Sequence, residues 1–318
     1  MDRVRRWLVL GALTGGAAFW PVSGFARTPT PEGAVRFQLV DGYLIVVPVS
    51  VNGTGPWDFL LDTGCSSTVI DTELSRRLNA PKAGQATVAL LSGIRYDQRV
   101  QLNEIRAGFW TASGISARVD KIDSARELVP GVRGILCEDF LGRFNILLDY
   151  EKRLLHFDEP APEGERIPFQ DASRFGKSRT LNRLLVKVEF PGTGSGAVAM
   201  QLDTAARIIE LFPASHVALL HLAHAWRQNT RSWGGVDPDM MPVYEHATIK
   251  IGTTITLNDL HVAKAVVDVQ SDAVGLLPLV LFRRVYISHS GKFIVLNPAP
   301  AKKSSPGLDV EEAEASER

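Results

Sequence analysis

The chain repeats itself at an offset of 141 residues, from Asp62 to Asp203, and that repeat limits its fold more than any other feature. Written without a gap, residues 45–62 (IVVPVSVNGTGPWDFLLD) fall on residues 186–203 (VKVEFPGTGSGAVAMQLD). Val47 meets Val188, Gly53 meets Gly194 and Gly55 meets Gly196, and Leu61-Asp62-Thr63 meets Leu202-Asp203-Thr204. Downstream, Gly93 falls on Gly234, Gly134-Ile135-Leu136 on Gly275-Leu276-Leu277, and Arg143 on Arg284. The step from Asp62 to Gly134 is 72 residues, and so is the step from Asp203 to Gly275. So many markers in one register predict a duplicated domain.

Each copy reads mainly as strands. Residues 43–51 and 184–190 are β-branched or alternating runs, followed by Gly-rich turns and a second strand that enters Asp-Thr. Residues 145–157 and 248–255 continue in that style. Two stretches read as helical: residues 72–78, and residues 214–226 with Leu219, Leu220 and Leu222 along them. Residues 159–177 are rich in Pro, Gly and charge without an apolar period, and read as a linker. The expected organisation is a first lobe over 34–158, that linker, and a second lobe over 178–297.

The ends read differently. Arg3, Arg5 and Arg6, a short apolar run over 7–19, and small residues before Ala26 predict an export signal over 1–26. Arg5-Arg6 leaves the Sec and twin-arginine routes both open. Cutting there removes three Arg and one Asp from 35 basic and 35 acidic residues, leaving 32 against 34, a charge near −2. Residues 298–318, rich in Pro, Ser, Ala and Glu, read as a disordered tail. The balanced charge argues against a nucleic-acid partner, which selects for a basic excess. No apolar run after residue 26 reaches the roughly 20 residues that cross a bilayer.

The chemistry lies in the turn. Phe59-Leu60-Leu61-Asp62-Thr63-Gly64 sets an acid at the end of an apolar strand, in a turn that Gly64 permits. An acid that follows three large apolar residues is drawn inward, where its proton affinity can be tuned. Asp-Thr-Gly alone would be explained by an Asx turn at a strand end. The apolar strand before it, and its recurrence at Asp203-Thr204, turn the balance toward function.

At these residues the sequence resembles the retropepsin-like aspartic proteases, in particular bacterial exported members with two tandem lobes. Leu60-Leu61-Asp62-Thr63-Gly64, the distal Gly134-Ile135-Leu136 and its counterpart Gly275-Leu276-Leu277 carry the resemblance, over residues 36 to 297. It implies an all-β fold of two retropepsin- or pepsin-like lobes related by a pseudo-twofold, with the active site between them. Asp62 and Asp203 would be the paired catalytic carboxylates, and Thr63 and Thr204 would bond across the axis to hold them. Gly93 and Gly234 would mark two flap tips, and Gly134 and Gly275 the distal loops passing close to the Asp turns. The substrate would be a peptide or protein, with no metal or cofactor. The resemblance also brings Cys65 and Cys137 together; in an exported protein they can form a disulfide, and two buried thiols are the default.

The second turn departs from the pattern. Ala205 stands where the family has Gly, and a Cβ there is strained if the turn needs a positive φ. Arg207 replaces the small residue seen at Ser66 and brings a charge toward Asp203. Three readings therefore stay open: a two-lobed protease, a peptide-binding protein with an inactive second lobe, and a protease built by two copies of the first lobe. Oligomeric state is open with them. Other patterns carry less. His216, His221 and His224 lack an acid among them for a metal site. Residues 192–196 (GTGSG) precede a strand rather than a helix, as a hairpin turn does. Ser66 and Ser67 have no Gly-x-Ser-x-Gly context.

Overall fold

Alternation builds the first strand of the site. In Leu44–Val51, Ile45, Val47, Val49 and Val51 face the main core, while Leu44 and Val46 face a second, smaller cluster on the other side. The next strand, Thr54–Leu61, ends in Phe59, Leu60 and Leu61, all buried. Phe59 and Leu61 enter the main core and Leu60 the smaller cluster, so both faces of the strand are covered there. With apolar side chains packed on both sides, the strand delivers Asp62 to a buried position.

The computed structural model describes residues 33–90, 93–175, 179–213, 215–219, 224–228, 241–265 and 272–297. The export signal expected over 1–26 and the tail over 298–318 lie outside the described residues, as do Gly234, Leu220, His221 and Leu222. Among the described residues no helix is long and apolar enough to cross a membrane.

The fold is nearly all β. One sheet has eight strands in the order Gln38–Val40, Leu44–Val51, Thr54–Leu61, Gly134–Leu136, Val69–Asp71, Trp110–Asp120, Gly93–Ala107 and Lys82–Leu90, and it curls so that Leu44–Val51 also pairs with Gly93–Ala107. The second lobe repeats this order from Arg179–Glu189 through Ala197–Asp203, Gly275–Pro278, Ile209–Leu211, Ile255–Lys264 and Met241–Ile251 to His224–Gln228. It curls the same way, Arg179–Glu189 pairing with Met241–Ile251. The registers coincide: Phe59 sits beside Gly134 in a parallel pair, and Met200 beside Gly275. Val69 opposes Ile135, and Glu210 opposes Leu276.

A six-strand stretch joins the lobes, ordered Val35–Arg36, Leu154–Phe157, Ile146–Asp149, Arg284–Ser288, Phe293–Leu296 and Ile167–Phe175. At its centre Ile146 opposes Ile287, its own counterpart in the repeat. One core therefore runs through both lobes, from Val35 to Leu296.

The helix expected over 72–78 is present as Thr72–Leu78. Asp71 starts it, its side chain accepting a 2.7 Å bond from the Leu74 N–H. The helix expected over 214–226 is not: His224–Gln228 is a strand, and residues 215–219 have no regular structure. Tertiary pairing of Trp226 with Val243 and of Gln228 with Met241 outweighs the leucine spacing. The linker also needs correction, because Ile167–Phe175 is a strand pairing with both Arg179–Glu189 and Phe293–Leu296. Composition concealed it, because Pro168, Gln170, Asp171 and Arg174 break any apolar run there. Residues 190–196 form the expected hairpin turn, with Glu189 opposite Ala197.

Candidate active site

Both aspartate turns are placed by the same parallel pairing. Leu61 lies beside Leu136 and Asp203 beside Pro278, and the Asp62 N–H donates to the Leu136 carbonyl at 3.0 Å. Glycine is required at Gly134 because a Cβ there would strike the Phe59 ring and the Val69 carbonyl. Close passage of the distal loop thus holds the Asp turn from behind.

The two turns meet at the lobe boundary. The Thr63 N–H donates to the Thr204 hydroxyl oxygen at 3.1 Å, and the Thr204 N–H to the Thr63 hydroxyl oxygen at 3.2 Å. Each hydroxyl donates onward, Thr63 to the Leu202 carbonyl at 3.2 Å and Thr204 to the Leu61 carbonyl at 2.8 Å. Both threonines are fully buried, so these bonds form where water cannot compete. Asp62 and Asp203 stand on this lattice, 6% and 8% exposed.

Their carboxylates face each other. A Cβ built on Gly64 would lie 2.5 Å from Asp203 Oδ2 and 3.0 Å from Asp62 Oδ1. The two oxygens can be no farther apart than those distances together. Burial first, and then the Asp203 charge, hold Asp62 well above the ordinary carboxylate value. Burial also raises Asp203, opposed by the N–H groups of Ala205 and Ala206.

The geometry revises two expectations about these turns. Gly64 is not in the left-handed region, and neither is Ala205. What demands glycine at 64 is the opposing carboxylate, not the backbone angle. Ala205 carries its Cβ without that strain and packs beside Tyr43 and Cys65 against the smaller cluster of the first lobe. Arg207 is exposed, and the cation acting on both aspartates is Arg183.

Cys65 and Cys137 form a disulfide with Cα atoms 5.2 Å apart, in place of the two thiols taken as default. Behind it, the Glu138 N–H donates to the Cys65 carbonyl at 3.0 Å. Gly93 opposes Leu90 and begins the strand that returns along Lys82–Leu90. Gly275 repeats the role of Gly134, since a Cβ there would strike the Glu210 carbonyl. His216 is exposed.

Residues 47–136 match a family model described as aspartyl protease. Over that span, which lies within the first lobe, the chain is similar to the aspartyl protease family. The matched span runs from the first site strand through the Asp62 turn to the distal loop at Leu136. A solved retropepsin-like aspartic protease from Rickettsia conorii is similar at 19% identity, over 39% of this chain and 87% of that one, with a TM-score of 0.29. No curated protein matches the chain.

Two site residues escaped the sequence reading. Glu210, at the position matching Val69, is pushed up to about 7 by burial and then by the Asp203 charge. Arg183 occupies the position matching Gly42, so comparing the repeats gives no sign of it. Glu210 makes stability depend on pH. Its folded form holds a proton more tightly than the unfolded chain, so its stabilisation is complete below about 4.5 and is lost as pH rises through about 7. Asp62, Asp203 and Glu138 are shifted the same way, each first by burial. Glu165, held down to about 2 chiefly by the Thr254 hydroxyl, acts only in a lower window. Urea unfolding is therefore expected to need more denaturant near pH 5 than near pH 8. A midpoint that rises with pH over that range would contradict the shifts.

Proposed function

We propose that the chain is an exported aspartic endopeptidase whose catalytic pair is Asp62 and Asp203, one from each lobe of the same chain. The observation that carries this reading is the pair of carboxylates meeting beside Gly64, on two turns locked by reciprocal threonine bonds. Two acids this close cannot both ionise cheaply, so they share one proton. The ionised member takes a proton from a bound water, and the protonated member donates to the peptide carbonyl as the tetrahedral oxyanion forms.

The turns also suggest which acid does which. Asp203 Oδ1 accepts bonds from the N–H groups of Ala205 at 2.7 Å and Ala206 at 3.0 Å, which favour its charged form. Asp62 Oδ1 accepts one, from Gly64 at 2.6 Å. The shared proton rests on Asp62, and Asp203 serves as the base. An extended peptide would lie across the pair beneath the hairpin at Gly93, its backbone pairing as an added strand.

The geometry favours this reading over its rivals. A dimer of first lobes would need Asp62 to meet a second Asp62, yet its neighbour here is Asp203. An inactive second lobe was inferred from Ala205 and Arg207, and neither disturbs the Asp203 turn. Export is supported by the disulfide beside the site, a bond that persists in oxidising compartments.

The test is a pH series of peptide cleavage from about pH 3 to about pH 7, with activity expected to fall as the shared proton leaves. Rate rising steadily to neutral pH would exclude a shared-proton pair. Gly64→Ala provides a second test, because the new Cβ would press on Asp203 Oδ2. A drop in kcat of about 100-fold is expected from that displacement; wild-type kcat would mean the acids are not held as described.

A further inference from the structure

We propose that Arg183 is a positioning residue for the catalytic pair: through Gln201 it fixes the Gly64 turn that holds Asp62. The proposal rests on reading Asp62 and Asp203 as that pair. Its basis is a chain of bonds running from the second lobe into the first. Arg183 Nη1 donates to Gln201 Oε1 at 3.1 Å, and Gln201 Nε2 donates to the Gly64 carbonyl at 2.9 Å. The Gly64 N–H in turn donates to Asp62 Oδ1 at 2.6 Å.

This bridge breaks the symmetry of the molecule. Met200 and Leu202 enter the main core, as their counterparts Phe59 and Leu61 do. Between them, the position filled by Leu60 in the first lobe holds Gln201, buried at 2% exposure. A buried amide costs stability unless its donor and acceptor are both met, and Arg183 and Gly64 meet them. The first lobe has no such reach, because Gly42 and Leu60 stand at the matching positions.

Charge supplies the second half. The groups near the pair are Arg183 from Arg179–Glu189, Glu138 from the short helix Glu138–Leu141, Glu210 from Ile209–Leu211, and Tyr150. Burial raises both aspartates, the Glu138 carboxylate adds to this at Asp62, and Arg183 opposes it at both. Removing the guanidinium therefore raises the proton affinity of both and moves the working range to higher pH.

The test uses the whole protein with Arg183→Met, Arg183→Gln, Arg183→Lys and Gln201→Leu. Two readouts are taken: the pH profile of kcat on a peptide, and carbon-13 NMR titration of the Asp62 and Asp203 carboxyls, which needs no turnover. In Arg183→Met and Arg183→Gln, both limbs of the profile and both midpoints are expected to rise by about one pH unit. Arg183→Lys should return them toward wild type. Gln201→Leu should lower kcat about tenfold or more with midpoints nearly unchanged, since the charge stays.

Midpoints that stay put in both neutral variants would overturn the electrostatic half, and wild-type kcat in Gln201→Leu would overturn the bridge. A wild-type protein that cleaves nothing refutes the catalytic reading, while the NMR midpoints still decide what Arg183 does.

Discussion

Asp62→Asn and Asp203→Asn are each expected to lower kcat for peptide cleavage by about 1000-fold or more. On the proposed mechanism, one reaction needs both a base and an acid, and each aspartate supplies one. Asn keeps the shape and the Gly64 or Ala205 bond but can neither take up nor release the proton. Because the two act as a unit, the double variant should be scarcely worse than either single one. Steady-state kinetics on one peptide measures all three, with circular dichroism to show that each variant folds. Persisting activity in Asp203→Asn alone would assign catalysis to paired first lobes.

Cys65→Ser with Cys137→Ser is the largest expected change in stability. The bond closes a loop of sequence separation 72, and a constraint of that length on the unfolded chain is worth about 4 kcal/mol. It also anchors the segment that carries Gly64 to the one that carries Glu138, through the Glu138 N–H bond to the Cys65 carbonyl. Urea unfolding should show the loss as a lower midpoint at similar slope. Loss of less than about 1 kcal/mol would mean the bond constrains little that the distal loop does not already hold.

How far the sequence reveals this protein depends on whether a feature is repeated. Leu61-Asp62-Thr63 and Gly134 recur at a fixed offset, because both lobes need a parallel neighbour passing where only glycine fits. Those residues also carry the all-β reading. Arg183 and Gln201 are hidden for the opposite reason: they exist in one lobe only. The single trace is Gln201 between Met200 and Leu202, where the first lobe has Phe59-Leu60-Leu61.

Ala205 and Arg207 misled in the other direction. Ala205 is not in the left-handed region, and the need for glycine at 64 comes from the Asp203 carboxylate across the axis rather than from the backbone angle. Arg207 is near Asp203 in sequence, but its side chain is exposed, while Arg183, twenty residues earlier in the chain (203 − 183), comes back to the pair. Among the described residues of 214–226, where a helix is expected, His224 to Trp226 instead belong to a strand paired with Met241–Ile251, and pairing across a hairpin leaves little mark on local spacing.

The most direct test of an intramolecular pair is specific activity against dilution. Purified wild type would be assayed on a peptide near its optimum from about 10 μM down to about 10 nM, a range in which weak dimers separate. One complete site in each chain predicts constant activity per chain across that range. Activity per chain that falls as the protein is diluted, or no cleavage from a folded sample at any pH, would contradict it.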